Sequence, residues 1–587
     1  MPPKRPLKRR GDDDDRRLNK KAGKNKREIT YDTYDEALDG GVEMEEKGER
    51  YKDGDKAQRF YERAVELYDK ALSFQQTYDA AYNQARVLYT LSTSFLLPPT
   101  CIIPLRRSIE LCKLATTLTN SPLLRMDVGF NLSQSCSSLS DILEDLDSEA
   151  NIAEVRELRE EARDILQEVM DGQEEYLRAT SEDNDVDETE EVVDEIENGA
   201  DIPAEENSME VDADGGGDNE GDEEESYETH LPTSSTFIDT VITLVDLHLS
   251  LWDSTNEPRT PSEEEQTVVR NILDRASVFA TPGRQAELDL LEVKVLLTMD
   301  SIVWEIFKGE AKPNMGLEKS LEGAIAALSA ILSSLDITPP ELNSTVKHEI
   351  LVTLAETHIT TSNRMMFLNP QLPIGPSPLA QQSWYHLSQA TLHLNTALEL
   401  PNSVFTPKEF KPSVLLNLSK ISLQRSKLSL VPHETAKKNV HQLMDNSISY
   451  AARAAEGLNW KFIRIDGSSS TSSLNTSGGG TLSLSTGGGG SEIPWQNGWE
   501  NELLFRNITL QQIRNCIYAT KTEILSPTDQ DRIKYNTGLQ KILNKLKNLT
   551  GERALNQKDV ERFLAEIEDE EGILSDTEKQ WWKDVFA

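Results

Sequence analysis

Zinc-type ligation or thiolate chemistry would draw on eight histidines and four cysteines, and their spacing argues against both. Cys101, Cys112, Cys136 and Cys516 lack CxxC spacing, so they outline neither a zinc site nor a disulfide framework. His348 precedes Glu349, yet shares no metal-ligand spacing with His358, and His386 and His393 sit seven apart on one helix face as packing residues would. The glycine runs near 478 and 487 adjoin no strand–helix unit that could cradle a phosphate. The chain contains no GxxxxGK[ST], HExxH or GxSxG, and no GxGxxG after a strand. No catalytic, cofactor-binding or metal residue is assigned, and the chain is expected not to be an enzyme.

Charge is the stronger chemical signal. In the arm formed by residues 1–30, positions 1–27 carry Lys4, Arg5, Lys8, Arg9, Arg10, Arg16, Arg17, Lys20, Lys21, Lys24, Lys26 and Arg27 against four aspartates. Two basic clusters across a short polar spacer are similar to a bipartite nuclear import signal. The same cations could instead grip RNA or DNA phosphates, or form only a solvated tail. The opposite charge gathers at 181–230, where Glu182 to Glu228 holds 23 Asp or Glu and no Lys or Arg. That tract supplies more than half of the formal charge of −40. Sequence of such low hydrophobicity and single sign cannot repay the entropy of ordering, so disorder is expected. It could merely solubilise, steer or shield a basic client, or fold back on the basic arm in a salt-sensitive way.

Between the two charged segments the period is helical. Ala64, Leu67, Tyr68, Ala71 and Leu72 recur at the spacing of one apolar helix face, and Ala81, Ala85, Leu88 and Tyr89 mark the next helix. Small alanines on the inner stripe let two helices approach closely. The stretch YDAAYNQARVLYTLS resembles the opening helix of a tetratricopeptide repeat, with Asn83, Ala85, Leu88 and Tyr89 at signature positions. Ala81 and Gln84 depart from that signature. Ala64, Tyr68 and Ala71 resemble the triplet of a closing helix, repeated by Ser108, Cys112 and Ala115, and Leu132 and Ser133 open another repeat. The loop LLPPTCIIP lengthens the period. The resemblance implies a superhelix of stacked helix pairs that binds proteins, with Asn83 and Arg86 as partner-contact candidates.

The pattern resumes beyond the acidic tract in STFIDTVITLVDLHLSLW, LEGAIAALSAILSSL, HEILVTLAETHI and WYHLSQATLHLNTALELP, the last ending at Pro401. A Gly/Ser-rich loop follows at 466–492, and IPWQNGWENELLFRNITLQQIRNCIYAT then starts an amphipathic helix. The closing WWKDVF could cap the array or dock into a partner's groove. The expected architecture is all-α: a basic tail at 1–30, repeats at 43–180, the acidic loop at 181–230, degenerate repeats at 235–465, the Gly/Ser loop at 466–492 and helices at 493–587. No apolar run reaches the ~18 residues of a membrane span, and the cysteine usage suits a reducing compartment. Acidic insertions in such arrays resemble histone chaperones of the NASP type and ribosomal-protein escort chaperones. The expected role is a nuclear or nucleo-cytoplasmic adaptor or client chaperone. The alternative is an RNA-associated factor in ribosome assembly, translation or RNA processing that works through the basic arm.

Overall fold

The computed structural model describes residues 31–184, 231–253, 259–281, 283–308, 319–335, 344–367, 378–401, 406–431, 433–458, 498–521, 529–547, 549, 554–571, 574 and 576–586. The basic arm, the acidic tract beyond 184 and the Gly/Ser loop lie outside the described residues. Regular structure among those residues is helical throughout. The helices are α1 (Tyr34–Tyr51), α2 (Asp55–Phe74), α3 (Tyr78–Ser94), α4 (Ile102–Leu118), α5 (Pro122–Asn184), α6 (Ser234–Asp253), α7 (Glu263–Phe279), α8 (Gln285–Phe307) and α9 (Lys319–Leu335). They continue as α10 (Ser344–Phe367), α11 (Pro378–Glu399), α12 (Phe410–Lys427), α13 (Glu434–Gly457), α14 (Gly498–Lys521), α15 (Asp529–Leu546), α16 (Gln557–Glu571) and α17 (Asp576–Phe586).

Local chemistry sets where these helices begin. Thr33 and Thr77 each cap a helix by accepting a bond from a backbone N–H three residues on, at 3.2 and 3.3 Å. Ser262 and Glu265 form a reciprocal capping box at the start of α7. Within α5 the backbone is extended at Asp147, and its carboxylate accepts the Ala150 N–H at 3.1 Å, recapping the chain as it turns into the second half of the helix.

Consecutive helices pack as pairs, most intimately α1 with α2, α3 with α4, α10 with α11 and α12 with α13. In the first pair a Cβ on Gly41 would lie 2.4 Å from Cε1 of Tyr68, so only glycine lets the ring lie flat on the α1 backbone. Tyr68 is fully buried there and donates its hydroxyl to Glu45 at 2.7 Å. Ala64, Leu67 and Ala71 bury the same face of α2, and each leucine so enclosed contributes roughly 1.5–3 kcal/mol. Pairs stack on their neighbours to give one helical-hairpin superhelix, whose apolar core passes from α3 through α8 and from α10 through α17. All four cysteines are buried inside it as free thiols, and burial pushes Cys112, Cys136 and Cys516 up to about 12, where they are inert.

Candidate partner-binding site

Helix α14 decides how much of the array remains open. Its sequence reads as amphipathic, but the helix is enclosed on nearly every side between Ile508 and Ala519, polar positions included. The chain enters it at Gly498, where an added Cβ would sit 1.7 Å from the Thr93 carbonyl at the end of α3. Trp499 donates its indole N–H to Asp145 at 2.7 Å and joins the core of α3 to α8, while Phe505, Ile508 and Ile513 join the core of α10 to α17. One helix therefore ties both ends of the superhelix together. Lys558 of α16 reaches Asp147 at 2.8 Å and Arg562 donates to the Asp145 carbonyl at 2.9 Å, reinforcing the join.

The enclosed polar groups of α14 are matched by distant charges. Arg514 forms a two-pronged pair with Glu571 at 2.7 and 2.9 Å, and its Nε bonds Glu578 at 3.0 Å. Lys427 of α12 also bonds Glu571, at 2.7 Å, and Tyr518 donates to Glu578. Burial would raise the Glu571 carboxyl, but the charges of Arg514 and Lys427 outweigh it and hold the group well below the usual carboxylate range. Asn515 donates to Ser419 at 3.0 Å and to the Ser447 carbonyl at 3.1 Å, closing the contact with α12 and α13. The final tryptophans pack inward: Trp582 is buried against Phe563, and Trp581 meets Tyr518 edge-on at 5.9 Å between ring centroids. They belong to the array's own core.

Between α8, α10, α12 and α16 the packing leaves a cavity of about 750 Å³. Each helix presents one stripe at helical spacing: Ser301, Trp304 and Lys308 from α8; Glu356, Thr360, Asn363 and Phe367 from α10; Asn417, Lys420 and Gln424 from α12. Glu568 and Glu570 of α16 close the ring. Most charges here are already matched. Lys420 bonds both oxygens of Glu570 at 2.9 and 3.1 Å, Lys308 pairs with Glu305, and Lys579 pairs with Glu568 at 2.6 Å. Arg364 pairs with Asp300 at 2.5 Å and lies 4.8 Å over the ring of Trp304, whose other contact is the edge of Phe367.

Two groups stand apart. Glu356 makes no ion pair within 4 Å among the described residues; its side chain is exposed, but to the cavity, and the surrounding protein lifts its carboxyl to about 7. Repulsion from Glu570 adds to the rise, while Lys420, Lys294 and a hydrogen bond to Asn417 oppose it. Gln424 is only 8 % exposed, and neither its amide oxygen nor its amide nitrogen finds a hydrogen-bond partner among the described residues. A buried amide left so costs on the order of 1–3 kcal/mol.

The residues singled out from sequence fare differently. Asn83 is half-buried on α3, and Arg86, still half-exposed, bonds Glu45 of α1 at 3.0 Å and lies over Tyr82. The twelve basic residues from Lys4 to Arg27 lie outside the described residues. His386 and His393 do lie on one face of α11, and His358 of α10 inserts between them: its Nδ1 is 2.9 Å from Nδ1 of His386, and its ring stacks on His393 at 5.7 Å. Burial, with repulsion from both neighbours, holds His358 down to about 4, so the cluster is neutral. Among the described residues no group of three His, Cys, Asp or Glu is disposed to hold a metal ion, and no helix is long and apolar enough to cross a membrane.

No family model matches this chain, and no curated protein matches it. Among solved structures, the nuclear import adaptor Nro1 of S. pombe is similar over 72 % of this chain and 95 % of its own, at 12 % identity and a TM-score of 0.26. A likeness that loose leaves fold and function to be argued from the residues themselves.

Proposed function

We propose that this chain is a non-enzymatic adaptor or client chaperone on a tetratricopeptide-like array, acting in the nucleus or between nucleus and cytoplasm. The observation that carries the reading is the cavity between α8, α10, α12 and α16. Here a charged and aromatic lining stays open, with Glu356 in no ion pair within 4 Å and the Gln424 amide without a hydrogen-bond partner among the described residues. Sites that hold a protein segment combine such aromatic anchors with a few uncompensated polar groups. The twelve basic residues of the arm support nuclear targeting, and the acidic tract supports basic clients such as histones or ribosomal proteins. The same arm also favours a second reading, an RNA-associated factor that grips phosphates through it.

Affinity capture of the full-length chain, with and without nuclease at two salt concentrations, separates the two. Basic proteins that survive nuclease, and that weaken when 182–228 is deleted, bear out the adaptor. Recovery only of ribosomal or RNA-processing complexes that vanish with nuclease moves the function to the arm.

A further inference from the structure

We infer that the cavity between α8, α10, α12 and α16 is a receptor for a cationic side chain, lysine or arginine, of a partner protein, with Glu356 as its counter-ion and Gln424 supplying amide hydrogen bonds. The inference deepens the adaptor reading and rests on it.

The argument is one of charge matching. Lys420, Lys308 and Arg364 each have an acid of this chain within ion-pair distance, and Glu570, Glu305 and Glu568 each have a base. Bringing an anion in would require breaking one of those pairs. A cation needs none broken, because Glu356 faces the cavity hydrogen-bonded to Asn417 and, among the described residues, in no ion pair within 4 Å. Gln424 lies two turns along α12 from Asn417, on the same stripe. Both of its amide atoms are closed off from solvent, so the side chain must turn into the cavity for its oxygen to accept from an ammonium or guanidinium and its nitrogen to donate to the partner's backbone. At about 750 Å³ the cavity holds a long basic side chain and part of the backbone that presents it. A cation also resolves the position of Glu356: an opposite charge within a few ångströms favours the ionised form that burial now disfavours.

Other titratable groups share the site. From α12 Glu356 meets Lys420; from α16 it meets Glu570, with Glu566 beside Lys420; from α8 it meets Lys294, itself paired with Glu349 of α10. Burial also raises Glu566, so a pH profile of the wild type alone does not isolate Glu356. The Glu356→Gln variant does.

The test titrates the full-length chain calorimetrically with N-acetyl-lysinamide and N-acetyl-argininamide, with N-acetyl-norleucinamide as the uncharged control and putrescine as a free amine. The expected result is saturable binding of the two cationic amides and none of the control. Since a carboxyl titrating at about 7 is mostly neutral at pH 6 and mostly ionised at pH 8, affinity should rise about tenfold between them. Glu356→Gln should lose at least tenfold in affinity and most of that pH dependence, and Gln424→Leu should weaken binding while keeping the pH dependence. Melting curves for both variants check the fold. In the capture experiment, Glu356→Gln should lose partners that a surface variant, Glu263→Gln, retains.

Absence of saturation in the wild type, or saturation indifferent to Glu356→Gln, overturns the assignment. Binding of putrescine with an unchanged partner set would overturn it too, by giving the cavity to a free amine. Partners captured by the wild type and all retained by Glu356→Gln overturn the cavity assignment and leave the adaptor standing. If no partner is captured by any variant, the adaptor reading itself falls.

Discussion

Replacing Arg514 with methionine keeps the apolar stem in α14 and deletes the charge that Glu571 and Glu578 face. The guanidinium is 1 % exposed and makes three charge-assisted bonds, two to Glu571 and one to Glu578. Lys427 still answers Glu571, so one buried carboxylate is left without its cation. Removing one member of a buried ion network costs about 3–5 kcal/mol, because the remaining charge stays desolvated. The pH dependence carries the sharper test. In the wild type Glu571 is held below its ordinary value of 4.5, so its contribution is present above that pH and is lost as acid protonates the folded state. In the variant Glu571 keeps only Lys427 against its burial, so most of that contribution is missing. The stability gap between the two proteins should therefore be full above pH 4.5 and narrow as the pH falls below it. Urea unfolding followed by the fluorescence of Trp581 and Trp582 in α17 reads it, with Trp581→Phe to assign the signal. A loss below about 1 kcal/mol, the range of a solvent-screened surface pair, would refute the claim that the network is sealed from water. So would a gap independent of pH.

Three further outcomes are expected. Gly41→Ala places a methyl group 2.4 Å from the Tyr68 ring and should cost about 1–3 kcal/mol despite the better helix propensity of alanine, seen as a lower midpoint in chemical denaturation. His358 is held at about 4 against 6.5 when unfolded, so the unfolded state binds the extra proton; stability should fall by about 2 kcal/mol from pH 7 to pH 5, and His358→Asn should flatten that slope. Arg86→Ala removes a half-exposed pair with Glu45 and should cost about 1 kcal/mol or less, while loosening α1 against α3 in hydrogen exchange.

The pairing of α3 with α4 and of α10 with α11 was legible, because the alanine and leucine stripes of each helix lie within a few dozen residues of their partners, whereas α1 meets the tyrosines of α2 through Gly41 and Gly48 and carries no such stripe. Pro401 likewise marks where α11 must stop, and the helix ends at Glu399. Helix α7 passes without notice in a reading by periodicity, although Ser262 and Glu265 announce it and Val269, Ile272, Leu273 and Ala276 bury one face. The place of α14 was not legible at all. Gln511, Arg514 and Asn515 look like a solvent face, and they become interior only because Ser419, Ser447, Glu571 and Glu578 come to meet them from elsewhere in the chain. The cavity was hidden for the same reason. Asn417, Lys420 and Gln424 form a polar stripe on a helix otherwise buried in leucine, which is a signal of sorts, but nothing near them in sequence names Glu356 as the opposite wall.

The hydrogen bond from Trp499 to Asp145 has a consequence for how the chain is made. The two residues are 354 positions apart, and at the ~5–20 residues per second of synthesis roughly 20–70 s separate their appearance. For that interval α3, α4 and α5 lack the indole that completes their shared core. Folding cannot finish from the N-terminus inward. It finishes only after the segment that holds Trp499 threads back to Asp145, so repeat-by-repeat stacking alone does not complete the core.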